Sequence, residues 1–167
     1  MRADLEQLYR DNAVPLMRYL TRMGADAELA SDLVQETFLR CAEQGTDVPH
    51  IREWLFRVAT NLLRETGRTR RRRLQLVARA PHRVPAPEPA PTPDSEYRRE
   101  QTRQAVRAAL MRLSPRDRMV LLMREEGFSQ REIAAAIGVD SNSVGKTLMR
   151  ALQRFTHQMA RDTQEAT

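Results

Sequence analysis

Residues 114–155 read SPRDRMVLLMREEGFSQREIAAAIGVDSNSVGKTLMRALQRF, and this stretch decides the fold. Ser114-Pro115 places a capping hydroxyl before a proline at the first helical position, with Asp117 three residues after the serine. Met119, Val120, Leu122 and Met123 give that helix an apolar side, and Gly127 ends it. Ser129-Gln130-Arg131-Glu132 has the spacing of a capping box opening a second helix. Ile133, Ala134 and Ile137 form its inner stripe, and Gly138 stops it. A third helix starts at Asp140-Ser141-Asn142-Ser143. Its apolar face is Val144, Leu148, Ala151, Leu152 and Phe155, with Lys146, Thr147, Arg150 and Arg154 lying away from it.

A short helix, a Gly-containing turn and a second helix with a cationic outer face form the helix-turn-helix pattern. A helix fits the major groove, its first-turn residues reach base edges, and cations neutralise phosphates. On pattern alone a second reading stands beside it: a trihelical bundle whose basic face is simply solvated.

The 167 residues allow one or two small domains, each with a modest core. The net charge is +6, and of 28 basic residues Lys146 is the only lysine. Arginine suits bidentate contacts with phosphate and guanine, although a GC-rich coding sequence produces the same bias. Cys41 is alone, which excludes an intrachain disulfide and a cysteine metal cluster, and it falls on an apolar helical stripe. With no signal peptide and no long apolar run, the sequence predicts a soluble, cytoplasmic protein without a membrane partner. Glycine-rich phosphate loops, HExxH and GxSxG are absent, and His50, His82 and His157 lack ligand spacing. No catalytic residue, metal or cofactor is therefore expected.

Ahead of this stretch, Leu5, Leu8, Tyr9, Leu16, Tyr19, Leu20 and Met23 recur at helical spacing over residues 2–23, with a kink or break expected at Pro15. Residues 26–44 form a second amphipathic helix, with Leu29, Leu33, Val34, Phe38 and Cys41 inside. Gln44 to His50 is a loop. A third helix over 51–72 carries Ile51, Trp54, Leu55, Val58 and Leu62 inward and runs into a cluster of arginines. Charge is segregated. Residues 1–50 hold five Arg against nine acids, a net of −4, whereas residues 51–80 hold nine Arg against two Glu, a net of +7. The first part suits a protein surface and the second a polyanion; a solvated, frayed helix end is the alternative for the arginine run.

Residues 81–93, PHRVPAPEPAPTP, contain six prolines and predict an extended linker. A fourth long helix, about 95–113, follows it with Ala105, Val106, Ala109, Leu110 and Leu113 inward. The expected fold is all-α: two small helical domains, 1–80 and 94–167, joined by the Pro-rich linker, the second carrying the helix-turn-helix.

Four segments, in order, resemble a known family. Asp32–Leu39 is similar to the DLVQETF signature of the extracytoplasmic-function (ECF) sigma factors of bacterial RNA polymerase, and Trp54–Leu62 resembles their WLxRIAxN segment. Leu113–Arg118 resembles their LPxxxR opening, and Phe128–Ala134 their GxSYxEIA helix. The resemblance implies a factor that binds core RNA polymerase and directs promoter-specific initiation at −35 and −10 elements. It implies that Asp32, Gln35, Glu36 and Arg40 face the clamp helices of the β′ subunit. The −10 strand would fall to the loop Gln44–His50 and to Asn61, Arg64, Arg68, Arg71, Arg72 and Arg73. The −35 duplex would fall to Ser141, Asn142, Ser143, Lys146, Thr147 and Arg150. The other implied partners are the polymerase β flap and an anti-sigma protein. The chain departs from the family at Val144-Gly145-Lys146-Thr147, where a Lys-Ser-Arg run is common. Gly145 inside a helix costs about 1 kcal/mol relative to Ala. Two other functions compete: a stand-alone helix-turn-helix repressor or activator, and an RNA-binding adaptor. The segments Asp32–Leu39 and Trp54–Leu62 discriminate, since a repressor needs no charged clamp-binding face.

Overall fold

The computed structural model describes residues 5–77 and 94–165, and side chains over 5–68 and 98–161. The Pro-rich linker expected over 81–93 lies outside the described residues. Seven helices account for the regular structure among the described residues: α1 Leu5–Met23, α2 Ala27–Gln44, α3 Ile51–Val77, α4 Asp94–Arg112, α5 Pro115–Glu125, α6 Gln130–Ile137 and α7 Ser141–Glu165.

Local signals set most of the helix ends. Asp26 accepts the Leu29 amide at 2.8 Å and opens α2, while Ser114 accepts the Asp117 amide at 3.1 Å and opens α5 ahead of Pro115. Gly138 closes α6 in the left-handed region, φ +70 and ψ +45, which a residue with a Cβ enters only under strain. Of the kink or break expected at Pro15, the break does not occur: α1 continues through it from Leu5 to Met23. The proline removes one ladder hydrogen bond, but Leu8 and Asn12 before it and Leu16, Tyr19 and Leu20 after it are all buried, so packing on both sides keeps the helix continuous.

α1, α2 and α3 pack on one another, and α5, α6 and α7 do likewise, with α4 against α7. The two groups then meet: α1 touches α4 and α5, and α3 touches α6. The buried side chains form one continuous cluster across both. An aromatic ladder marks the join. Tyr19 of α1 meets Phe56 of α3 at a tilt, with ring centres 5.0 Å apart, and Phe56 meets Phe128, in the α5–α6 turn, edge-on at 4.8 Å. The Thr60 hydroxyl donates to the Phe56 carbonyl at 2.7 Å, so the Tyr19 hydroxyl donates to Thr60 at 2.8 Å and no polar atom is stranded there. Burial of that phenol pushes its pKa well above the usual tyrosine range.

Arg118 makes the other join. Its buried guanidinium donates to the carbonyls of Leu110 (2.7 Å), Met111 (2.8 Å) and Leu113 (3.2 Å) at the end of α4, and to Met23 (2.6 Å) at the end of α1. Helix ends leave carbonyls unpaired, and a cation there also meets the negative end of the helix dipole. One side chain therefore caps two helices. Alongside, Met111 packs on Gly24, where a Cβ would stand 2.8 Å from the Met111 methyl.

Three apolar assignments differ from the sequence reading. Leu152 is 53% exposed, because Ala151 turns inward to let α7 approach its neighbours and leaves Leu152 about 100° further round. Leu5 and Tyr9 are exposed on the outer side of α1, where they line a shallow groove against α2.

Candidate nucleic-acid interface

The helix-turn-helix is formed by α6, Gly138–Asp140 and α7. The capping box is complete: the Glu132 amide donates to the Ser129 hydroxyl at 3.3 Å, and the Ser129 amide donates to the Glu132 carboxylate at 2.5 Å. Those bonds hold the Glu132 carboxyl below the usual carboxylate range. Asp140 accepts the Asn142 amide at 2.8 Å through its side chain and the Ser143 amide at 2.9 Å through its carbonyl, which starts α7. Val144 and Ala151 are fully buried and Leu148 and Phe155 pack beside the core, so the rest of the first two turns is turned outward.

Of the residues implied for duplex reading, Asn142, Ser143, Lys146 and Arg150 are exposed, and Ser141 and Thr147 are half-buried. The Thr147 hydroxyl donates to the Ser143 carbonyl at 2.9 Å, which leaves its methyl and lone pairs for a partner. Arg154, on the same helix, is committed elsewhere: it bonds the buried Asp117 carboxylate at 2.7 Å and ties α7 to α5. At Gly145 an added Cβ would meet only the Gln130 side-chain amide, at 3.9 Å.

A second polar surface runs along α3. Asn61, Arg64 and Arg68 are exposed, and the α3 backbone continues through 71–73, so the helix is longer than the sequence suggested. The side chains of Arg71, Arg72 and Arg73 lie outside the described residues. Exposed Arg57 lies four residues before Asn61 and extends the same face; its spacing was legible, and the sequence reading passed over it. At the start of α3, His50 sits at φ +56, and its imidazole lies 3.6 Å from the Glu53 carboxylate. A crevice of about 220 Å³ opens there, between Val48, His50, Trp54 and Arg57 on one side and Ala135 and Ala136 of α6 on the other. Burial pushes the Glu53 carboxyl upward.

The third surface is on α2. Asp32, Gln35 and Arg40 are exposed and Glu36 is half-buried, and Arg40 donates to Glu36 at 2.8 Å across one turn. Gln35 also borders the groove lined by Tyr9, Phe38 and Leu39, so the charged face adjoins an apolar one of about 660 Å³. The three surfaces are separate: the exposed residues at the start of α7, the α3 face and the α2 face do not converge on one pocket. Among the described residues no group of three or more His, Cys, Asp or Glu side chains is placed to hold a metal ion. No helix among them is long and apolar enough to cross a membrane.

Residues 8–73 match the family described as Sigma-70 region 2, and residues 103–155 match Sigma-70, region 4. The chain is similar to the ECF RNA polymerase sigma factor SigL of Mycobacterium tuberculosis, at 32% identity over 163 residues, covering 89% of this chain and 85% of that one. It is also similar to SigE of Mycolicibacterium smegmatis, at 30% identity over 164 residues and 96% of this chain, but spans only 63% of that protein's length. Of the SigG relative from M. tuberculosis, 36% identical, it spans 43%. In fold it resembles the sigma factor RpoE crystallised with the anti-sigma factor NepR from Bartonella quintana, with a TM-score of 0.72, 22% identity, and 93% and 96% of the two chains covered.

Proposed function

This chain belongs to the ECF sigma factors of RNA polymerase, and from that premise we propose that it binds core polymerase and directs promoter-specific initiation without catalysing a reaction itself. The observation that carries the reading is the order of its parts: a region 2 match, then a region 4 match ending on a capped helix-turn-helix with free Lys146 and Arg150. A repressor or an RNA adaptor accounts for one part but not for both.

The division of labour follows the surfaces. Asp32, Gln35, Glu36 and Arg40 dock on the polymerase clamp, where polar, charged faces steer encounter. Asn61, Arg64, Arg68 and Arg71–Arg73, with the loop before α3, hold the −10 strand; unstacking a base costs only a few kcal/mol, and arginines on its phosphates offset that. The first turns of α7, Ser141 to Arg150, enter the −35 major groove. Residues 1–80 and 94–167 serve as the two working units, tethered by 81–93. By analogy with the fold neighbour RpoE, co-crystallised with the anti-sigma factor NepR, an anti-sigma protein is the proposed regulator, and the cytoplasm is the proposed compartment.

The test is core-polymerase binding by the triple variant Asp32→Ala, Gln35→Ala, Glu36→Ala. These residues share one helix face and none belongs to the buried core, so helix content should hold while affinity drops. Unchanged capture of core enzyme would show that this face is not the docking surface.

A further inference from the structure

The outward face of α7 is not uniformly polar. Met149 is 64% exposed and Leu152 53%, although Asn142, Lys146, Arg150 and Gln153 around them are exposed and polar or charged. A lone apolar residue on a surface is ordinary, but the place of Met149 on the helix is specific. At 100° per residue it lies about 140° round from the buried Val144, about 20° from Asn142 and about 60° from Lys146. It therefore belongs to the side of α7 that points away from the core, in line with the residues of the first turn.

Helical side chains lean towards the N-terminus and cover the turn before their own Cα. Met149 accordingly extends over the turn that holds Gly145 and Lys146. Gly145 brings no side chain there, and a Cβ added to it would meet only the Gln130 side-chain amide, at 3.9 Å. The thioether has open room to reach towards the start of the helix.

An apolar group beside a lysine suits one feature of the DNA major groove. All four base-pair orientations present hydrogen-bonding edges there, but only thymine adds an apolar group, its C5 methyl. Lysine pairs with guanine O6 and N7, whereas methionine has no donor and only a weak acceptor. Set against a polar base edge, Met149 would strip water from that edge and give no bond in return. Set against a thymine methyl, both surfaces leave water, and an unbranched, polarisable side chain adapts its shape to the contact.

We propose that Met149 selects a thymine in the −35 element by contact with its C5 methyl, next to the base pair read by Lys146; this rests on the assignment of α7 to the −35 major groove above. Three residues of helix advance about 4.5 Å, and successive base pairs rise about 3.4 Å, so the two side chains address adjacent positions.

The test uses holoenzyme formed from core RNA polymerase and the full chain, with promoter duplexes carrying the −35 element obtained from a randomised library. Each thymine of that element, on either strand, is replaced in turn by deoxyuridine, which lacks only the C5 methyl and keeps every hydrogen-bonding group. One replacement should weaken binding of the wild-type holoenzyme about fourfold, the effect of uncovering a single methyl. Met149→Ala should bind the thymine promoter more weakly by at least that factor and no longer distinguish it from the uridine one. Met149→Leu, which keeps an apolar tip, should retain the distinction. Equal binding of thymine and uridine promoters by the wild type at every position overturns the proposal, as does a −35 element without thymine. A thymine–uridine difference that survives Met149→Ala, or that Leu152→Ala abolishes instead, overturns the assignment to Met149. A loss confined to capture of core polymerase would place Met149 in a protein contact and overturn it too. Failure of the −35 reading itself is distinct: the library then yields no −35 element that depends on the protein, before any uridine is introduced, and the proposal falls with it.

Discussion

Replacing Arg118 tests whether one buried cation holds both helix groups in place. Its guanidinium donates to four carbonyls, three at the end of α4 and one at the end of α1, and is 7% exposed. Burial lowers its pKa, yet an arginine remains charged at neutral pH. Arg118→Leu keeps the apolar stem and removes every donor. Hydrogen bonds from a charged donor contribute about 1.5–3 kcal/mol each, but the desolvation of the guanidinium offsets part of that and the bonds are not additive. Disrupting a buried charge network typically costs about 3–5 kcal/mol, and about 4 kcal/mol is the expectation here. Arg118→Lys keeps the charge but is a point donor that cannot span four carbonyls, so an intermediate loss of about 2 kcal/mol is expected. The assay is urea unfolding followed by circular dichroism and by the fluorescence of Trp54, the only tryptophan, which lies in the other helix group. Both probes should shift together, because Met23 belongs to α1. A loss under about 1 kcal/mol for Arg118→Leu, or full stability with Lys, would refute the double-cap role.

Gly145→Ala should stabilise the protein by up to about 1 kcal/mol, since the new methyl meets only Gln130 at 3.9 Å; a lower melting temperature would contradict this, and a fall in −35 binding beside the gain would show that the glycine serves backbone approach to DNA. Glu132→Gln isolates the charge in the capping box. Because the folded-state pKa of Glu132 is depressed, its charge stabilises above the unfolded carboxylate value of about 4.3 and that contribution is lost as pH falls through the folded value. The stability gap between wild type and Glu132→Gln should therefore be widest near neutrality and close in acid, and a gap that widens in acid would be the wrong sign. Lys146→Ala should change the preferred −35 base at one position by about 1–3 kcal/mol, whereas Arg71→Ala, Arg72→Ala and Arg73→Ala together should lower initiation on all promoters alike; a randomised promoter library transcribed with each variant separates reading from positioning.

What was legible in the sequence was local. Ser114 with Asp117, Ser129 with Glu132, and Gly138 bond or turn within a few residues, so their spacing alone implied the caps that the structure shows. The outward faces of α2, α3 and α7 were legible for the same reason, since exposure follows the helical period. What was not legible is long-range. Arg18 and Glu126 are 108 residues apart, and nothing in periodicity pairs them. Phe128 read as part of a motif between two helices, yet it is fully buried on Phe56. Asp117 read as a first-turn acid, but Arg154 reaches it from α7. Pro15 shows the limit of local rules in the other direction: tertiary packing kept α1 whole where the residue alone argues for a break.

Reconstituted transcription tests the central claim most directly. Core RNA polymerase, this protein and a library of randomised promoters are combined, and transcript starts are sequenced. The account predicts starts that depend on the protein and share two sequence elements, one near −35 and one near −10, with both lost when residues 94–167 are supplied alone. Starts that are the same with and without the protein, or a single shared element read equally well by residues 94–167 alone, would contradict it.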